Sequence, residues 1–127
     1  MERDQDVATL IKNNCQRFGV TNVNVVIDNA PDCFDSLPHI PDSILVEGGR
    51  ELKPLLAEAW SKLAAHGRLV ATASNFQSLY AISEIFADLQ VRNIEVVQTG
   101  GSRLEIRGSN QVLKPVMPTF ILSGEKF

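Results

Sequence analysis

The chain has 127 residues, 44% of them hydrophobic, which suits one compact domain, since domains cluster near roughly 100 to 150 residues. A formal net charge of -3 excludes the global basic field that holds a polyanion by counterion release, so any anionic ligand must be met locally. No apolar run approaches the roughly 18 residues of a membrane span, and the acidic start Met1 to Asp6 does not read as a signal peptide, so a cytoplasmic location is expected.

From Asp4 to Phe18 the apolar residues Val7, Leu10, Ile11, Cys15 and Phe18 recur at offsets of three and four, which predicts a helix closed by Gly19 in a left-handed cap. Val23 to Ile27 is short, β-branched and almost wholly apolar, as a strand covered on both faces should be, and it breaks at Asp28-Asn29-Ala30-Pro31. A helix-sized loop follows. Ser43 to Val46 predicts a second buried strand that stops at Glu47-Gly48-Gly49. Glu51 to Ala65 carries Leu52, Leu55, Leu56, Ala59 and Leu63 on one helical face, with Pro54 tolerated in the first turn and Gly67 closing the helix. Arg68 to Ala73 is the third buried strand. Ser74 with Gln77 resembles a capping box for a helix over Asn75 to Leu89, with Leu79, Ile82, Phe86 and Leu89 inward. Thereafter Ile94 to Thr99, Arg103 to Arg107 and Thr119 to Ser123 follow without intervening helices, which predicts antiparallel pairing, with bends at Gly100-Gly101 and Gly108-Ser109-Asn110.

Alternating strands and helices predict an α/β, Rossmann-like fold in which the strands around Val25, Leu45 and Val70 are parallel neighbours and the terminal pair is an antiparallel edge addition. Ligands in open α/β sheets bind beyond the carboxyl ends of the strands. Asp28 stands at such an end and can accept a hydrogen bond from an adenine amino group, while neighbouring amides serve the ring nitrogens; capping the turn before Pro31 explains it equally. Gly48 and Gly49 would let backbone approach a ligand closely, and a simple turn is the other reading. Glu2, before a helix, can accept from ribose hydroxyls or be a solvated terminal charge. Arg50, Lys53, Arg103, Arg107 and Lys114 are the cations available to a polycarboxylate, if several converge on one mouth. His39 and His66 lack a partner at an informative spacing, Tyr80 and Trp60 read as packing, and Cys15 and Cys33 read as free thiols without metal-ligand spacing.

Several stretches resemble one family in order. Glu2-Arg3-Asp4, with the helix ending Asn14-Cys15-Gln16-Arg17-Phe18-Gly19-Val20, resembles the acidic residue and helix of class I methyltransferases, and Val26 to Pro31 resembles their adenine-side loop. Asp42 to Gly49, the helix Leu52 to Leu63, His66 to Ala71 and the closing Lys114 to Lys126 are similar to the precorrin-6Y C5,15-methyltransferase (decarboxylating) family, in particular its C-terminal or stand-alone C15-methylating module. Two places depart from it: Met117-Pro118 stands where the family usually has Asn-Pro, and Arg50-Glu51 stands where the family continues glycine-rich.

The resemblance implies methyl transfer from S-adenosylmethionine to a ring carbon of a precorrin in cobalamin biosynthesis, coupled to decarboxylation, by a homo-oligomer. It implies that Glu2 holds ribose, that Asp28, Asn29 and Ala30 meet adenine, and that Gly48, Gly49, Arg50 and Arg103 face the tetrapyrrole. The family's glycine-rich cofactor loop would lie upstream of Met1, so the domain is expected to be N-terminally truncated, to bind the cofactor weakly or not at all, and to be inactive alone. A class I methyltransferase of RNA or protein, and a non-catalytic interaction fragment, are the alternatives.

Overall fold

The computed structural model describes residues 1–48 and 51–127, which divide into two units, Met1–His39 and Ile40–Phe127. In the first unit, helix α1 spans Gln5–Arg17. Asp4 starts it by accepting hydrogen bonds from the amides of Asp6 and Val7 at 2.9 and 3.2 Å. Gly19, at φ +66°, ends it: its amide bonds the Gln16 carbonyl and the Val20 amide bonds that of Cys15, the paired closure typical of a left-handed C-cap. The helix buries only Ala8, so the predicted stripe of Val7, Leu10 and Phe18 lies exposed. A 3₁₀ turn occupies Asp32–Ser36, after a cis peptide between Ala30 and Pro31.

The strand predicted at Val23 to Ile27 does not form. Ile27 makes a single parallel bridge with Glu2, because Glu2 is the one residue extended beside it before Asp4 turns the chain into α1. A ladder needs consecutive partners.

The second unit holds a four-stranded sheet in the order β1-β2-β4-β3, with β1 at Ser43–Glu47, β2 at Arg68–Ala73, β3 at Arg92–Arg107 and β4 at Asn110–Glu125. Strand β1 runs parallel to β2, with Leu45 opposite Val70, and β2 runs antiparallel to β4. Val97 faces Ile121 in the antiparallel β3/β4 pair, so the predicted change of pairing occurs where helices cease to alternate with strands. Helices α2 (Leu52–Lys62) and α3 (Phe76–Asp88) contribute Leu56, Ala59, Ile82, Ile85 and Phe86 to a core shared with Val46, Leu69, Ala71, Ala73 and Leu122. The sheet residues alternate: Leu45 is 64% exposed between its inward neighbours, so β1 is covered on one face rather than two.

Four further local expectations are revised. Asn75, not Ser74, caps α3, accepting from the Ser78 amide at 2.8 Å. The left-handed residue after α2 is His66, at φ 63°; Gly67 is needed instead for close approach to Leu63, whose Cδ1 would lie 2.7 Å from an added Cβ. Gly100-Gly101 is a register shift inside one continuous β3, whereas the hairpin turn falls at Gly108-Ser109, with Gly108 at φ +63°. Strand β4 continues through Pro115 and Pro118 because β2 pairs only with Phe120 to Glu125, leaving no second ladder for the missing amides to break.

The C-terminal residues fasten the sheet to α2. Lys126 Nζ donates to the carbonyls of Trp60 at 2.6 Å and Leu63 at 2.8 Å, meeting the acceptor end of the helix with a cation. Hydrogen bonds from Asn93 and Arg68 hold the Glu125 carboxyl below its ordinary range.

Gly124 packs against Val91 and the Arg92 carbonyl, where an added Cβ has no room, while nothing lies within 4 Å of one added at Gly100. Gly124→Ala is therefore expected to cost about 1 to 3 kcal/mol by overpacking, and Gly100→Ala little. Urea denaturation of the two variants checks the contrast.

Candidate functional site

Backbone pairing in the first unit brings the predicted adenosine-side residues together. The Glu2 amide donates to the Val26 carbonyl at 2.9 Å, and the Asp28 amide donates to the Glu2 carbonyl at 3.2 Å. Residues 26 sequence positions apart are thus neighbours beside one hollow, although Glu2 itself does not line it. Arg3, Asp4, Ile27, Asp28 and Asn29 line an open hollow there.

Each carboxylate at this rim is anchored by a nearby amide. Glu2 Oε1 accepts from the Asp4 amide at 2.9 Å, and Asp28 Oδ1 accepts from the Asn29 amide at 2.7 Å. The second oxygen of each takes no hydrogen bond among the described residues and is available to a hydroxyl or amino donor. Behind the rim, Cys33 is buried with its Sγ 3.3 Å from the Met1 sulfur; burial, followed by the nearby Asp28 carboxylate, pushes its thiol up and keeps it protonated. Both cysteines are free thiols. Ala30 follows Asn29 but is not among the residues lining the hollow.

Arg3 and Asp4 line the hollow without having been singled out. Asp4 carried a signal, since an aspartate directly before an amphipathic helix is an N-cap, and an N-cap beside a candidate acid shares its surface.

The residues expected to face a substrate are distributed differently. Gly48 ends β1 at φ +67°, a conformation that favours glycine. Gly49 and Arg50 lie outside the described residues. Arg103, Arg107 and Lys114 gather on one face of the β3/β4 hairpin, where Arg103 is opposite Lys114 and Glu105 pairs with Arg107 at 3.2 Å and Lys114 at 3.3 Å. Lys53 is not part of this group; it pairs with Asp88 of α3 at 3.3 Å. The other hairpin face carries Leu104 opposite Leu113, with Ile106 and Pro115, and Ile106 and Leu113 are 74% and 67% exposed. His39 and His66 are exposed, with His66 edge-on to Phe127 at 5.8 Å.

The mixed sheet ending in an antiparallel pair is a fold shared with solved methyltransferases. Consistent with this, a S-adenosylmethionine-dependent O-methyltransferase from Thermotoga maritima superposes with a TM-score of 0.76 at 17% identity, over 98% of this chain and 48% of that one. The chain belongs to the precorrin methyltransferase domain family, whose description matches residues 1–126. The cobalt-precorrin-6B C(15)-methyltransferase (decarboxylating) of Salmonella typhimurium is 27% identical over 127 residues, 99% of this chain. The chain spans about 65% of the length of the curated relatives it matches. Among solved structures, precorrin-6y C5,15-methyltransferase from Geobacter metallireducens shares the fold with a TM-score of 0.85 at 24% identity, covering 98% of this chain and 66% of that one.

If Asp4 sets both the helix start and the floor of the hollow, Asp4→Ala should cost about 0.5 to 2 kcal/mol of local stability. Hydrogen exchange should show the amides of Asp6 and Val7 losing protection, with those of β2 unchanged.

Proposed function

We propose that this chain forms the adenosine-holding and substrate-facing part of a S-adenosylmethionine-dependent methyltransferase acting on a precorrin, with methylation coupled to decarboxylation. The observation that carries this reading is the bridge that brings Glu2 and Asp28 to one rim, in a chain whose family match extends over residues 1–126. That match also supports reading the chain as part of one methyltransferase domain family throughout its length. On this reading Glu2 accepts from the ribose hydroxyls, Asp28 accepts from the adenine amino group, and the backbone at Asn29 and Ala30 borders the ring. When bound, the cofactor supplies an electrophilic methyl group; the chain's task is to hold and orient its nucleoside and to exclude water. Among the described residues no glycine-rich loop is present to cradle the methionyl part. Gly48, Gly49, Arg50 and Arg103 are proposed to border the tetrapyrrole, with Arg103 presenting charge to its carboxylates.

Because the groups on the rim serve the nucleoside, calorimetry is expected to give similarly weak affinities for adenosine and for S-adenosylhomocysteine. Asp28→Ala should weaken both by about 0.5 to 1.5 kcal/mol, the net worth of one hydrogen bond at an exposed site. Absence of binding by either ligand would count against the cofactor assignment, and S-adenosylhomocysteine binding far more tightly than adenosine would show a methionyl site within this chain.

A second copy of the chain is the proposed protein partner. Supporting it, the hairpin's Leu104, Ile106 and Leu113 form a contiguous exposed apolar face of the kind soluble proteins cover. Sedimentation is expected to show a homo-oligomer that Leu113→Lys dissociates; a stable parent monomer across micromolar concentrations would overturn this.

A further inference from the structure

The carboxyl edge of the parallel pair carries an aromatic cluster that the cofactor contacts do not use. Strand β2 ends at Ala73, Asn75 fixes the turn by capping α3, and Phe76 is the first helical residue. Its ring is 75% exposed. Phe120 of β4 is held opposite Ala73 by the sheet register, which sets its ring 6.0 Å from that of Phe76 with the planes tilted by 41°. One helical turn on, Tyr80 is 66% exposed, and the nearby Glu84 carboxylate pushes its hydroxyl's pKa up. A single exposed aromatic needs no explanation, but two exposed rings beside a half-buried third, at one edge of a chain with eight aromatic side chains in all, do.

We propose that Phe76, supported by Phe120, is a stacking platform for the flat face of the tetrapyrrole substrate and positions the ring for methylation; this rests on the reading of the chain as a precorrin methyltransferase module. Three observations support that occupant. Open α/β sheets receive their ligands outside the carboxyl ends of parallel strands, where this cluster lies. The two rings are held by a capped helix and a paired strand, so a ligand orders little on binding them. The rings offer apolar faces with no cation between them, which suits the conjugated face of a large macrocycle rather than its carboxylate rim. Gly48, at the end of β1, leaves the neighbouring strand terminus open, with nothing within 4 Å of where a Cβ would stand.

The test titrates the full chain with uroporphyrin III, a stable carboxylate-rich porphyrin, following its absorption and fluorescence. Phe76→Ala should weaken binding about tenfold, the scale of one aromatic stacking contact, while Phe76→Trp retains it. Phe18→Ala, which removes an equally exposed ring from α1, should leave it unchanged. The platform is overturned if the parent chain does not bind the porphyrin, if Phe76→Ala binds it as tightly as the parent, or if Phe76→Ala dissociates an oligomer, which would make this edge an interface between copies. Adenosine binding, measured in parallel, separates the two readings: its loss in the parent chain with Phe76-dependent porphyrin binding intact would remove the cofactor assignment and keep the platform.

Discussion

Strand β2 is hydrogen-bonded on both sides, parallel to β1 and antiparallel to β4, and the second unit is organised by that double pairing. The arrangement aligns Leu69 and Ala71 with Val46 on one side and Leu122 on the other, and this apolar row is what α2 and α3 cover. Two positions along it depend on small size or its absence. Gly124 lets β4 lie against Val91 and Arg92, and Gly67 lets the chain turn under Leu63. The same register brings Phe120 opposite Ala73, so the aromatic edge is a consequence of how the core is assembled.

The hollow in the first unit is built by a different means. It has no ladder and little buried apolar surface, and its geometry comes from two backbone hydrogen bonds to Glu2 together with side-chain bonds to the amides of Asp4 and Asn29. Such a site is inexpensive to form and compliant. Its groups are polar, exposed and already solvated, so a ligand there gains only the difference between hydrogen bonds to protein and to water.

The legible parts of the sequence were those in which a local pattern and its partner lie in the same stretch or unit. Helix α1 and its caps follow from Asp4, the three-and-four spacing and Gly19; α3 follows from Ile82 and Phe86; and the antiparallel ending follows from the loss of intervening helices. The failures have one cause, which is that burial is a property of neighbours. Val23 to Ile27 has the composition of a covered strand but a single bridging partner, and Leu45 has the side chain of a core residue on an uncovered face. The last strand was expected only over Thr119 to Ser123, yet β4 runs from Asn110 to Glu125 through Pro115 and Pro118, because a two-stranded ribbon has a free side on which a missing amide costs nothing. For the candidate site, acid type and position picked out Glu2 and Asp28, but not that a parallel bridge would join them. Arg103, Arg107 and Lys114 could be named as cations, whereas their common face and their shared Glu105 depend on the hairpin register.

The two readings of Asp28, turn cap and adenine acceptor, meet in one side chain. Its Oδ1 bonds the Asn29 amide at 2.7 Å, so the amide that would otherwise point at a ring nitrogen is engaged by its neighbour. Adenine can take the second carboxylate oxygen without disturbing that bond, but to reach the Asn29 amide it must exchange one hydrogen bond for another. An exchange contributes little net free energy, since a typical protein hydrogen bond is worth only about 0.5 to 1.5 kcal/mol over its alternative. On the proposed reading, the bond from the Asn29 amide would hold the loop in shape while limiting how tightly the rim alone could bind a nucleoside. Strong binding must come from contacts to the rest of the cofactor, or from water being excluded when the substrate closes over the site.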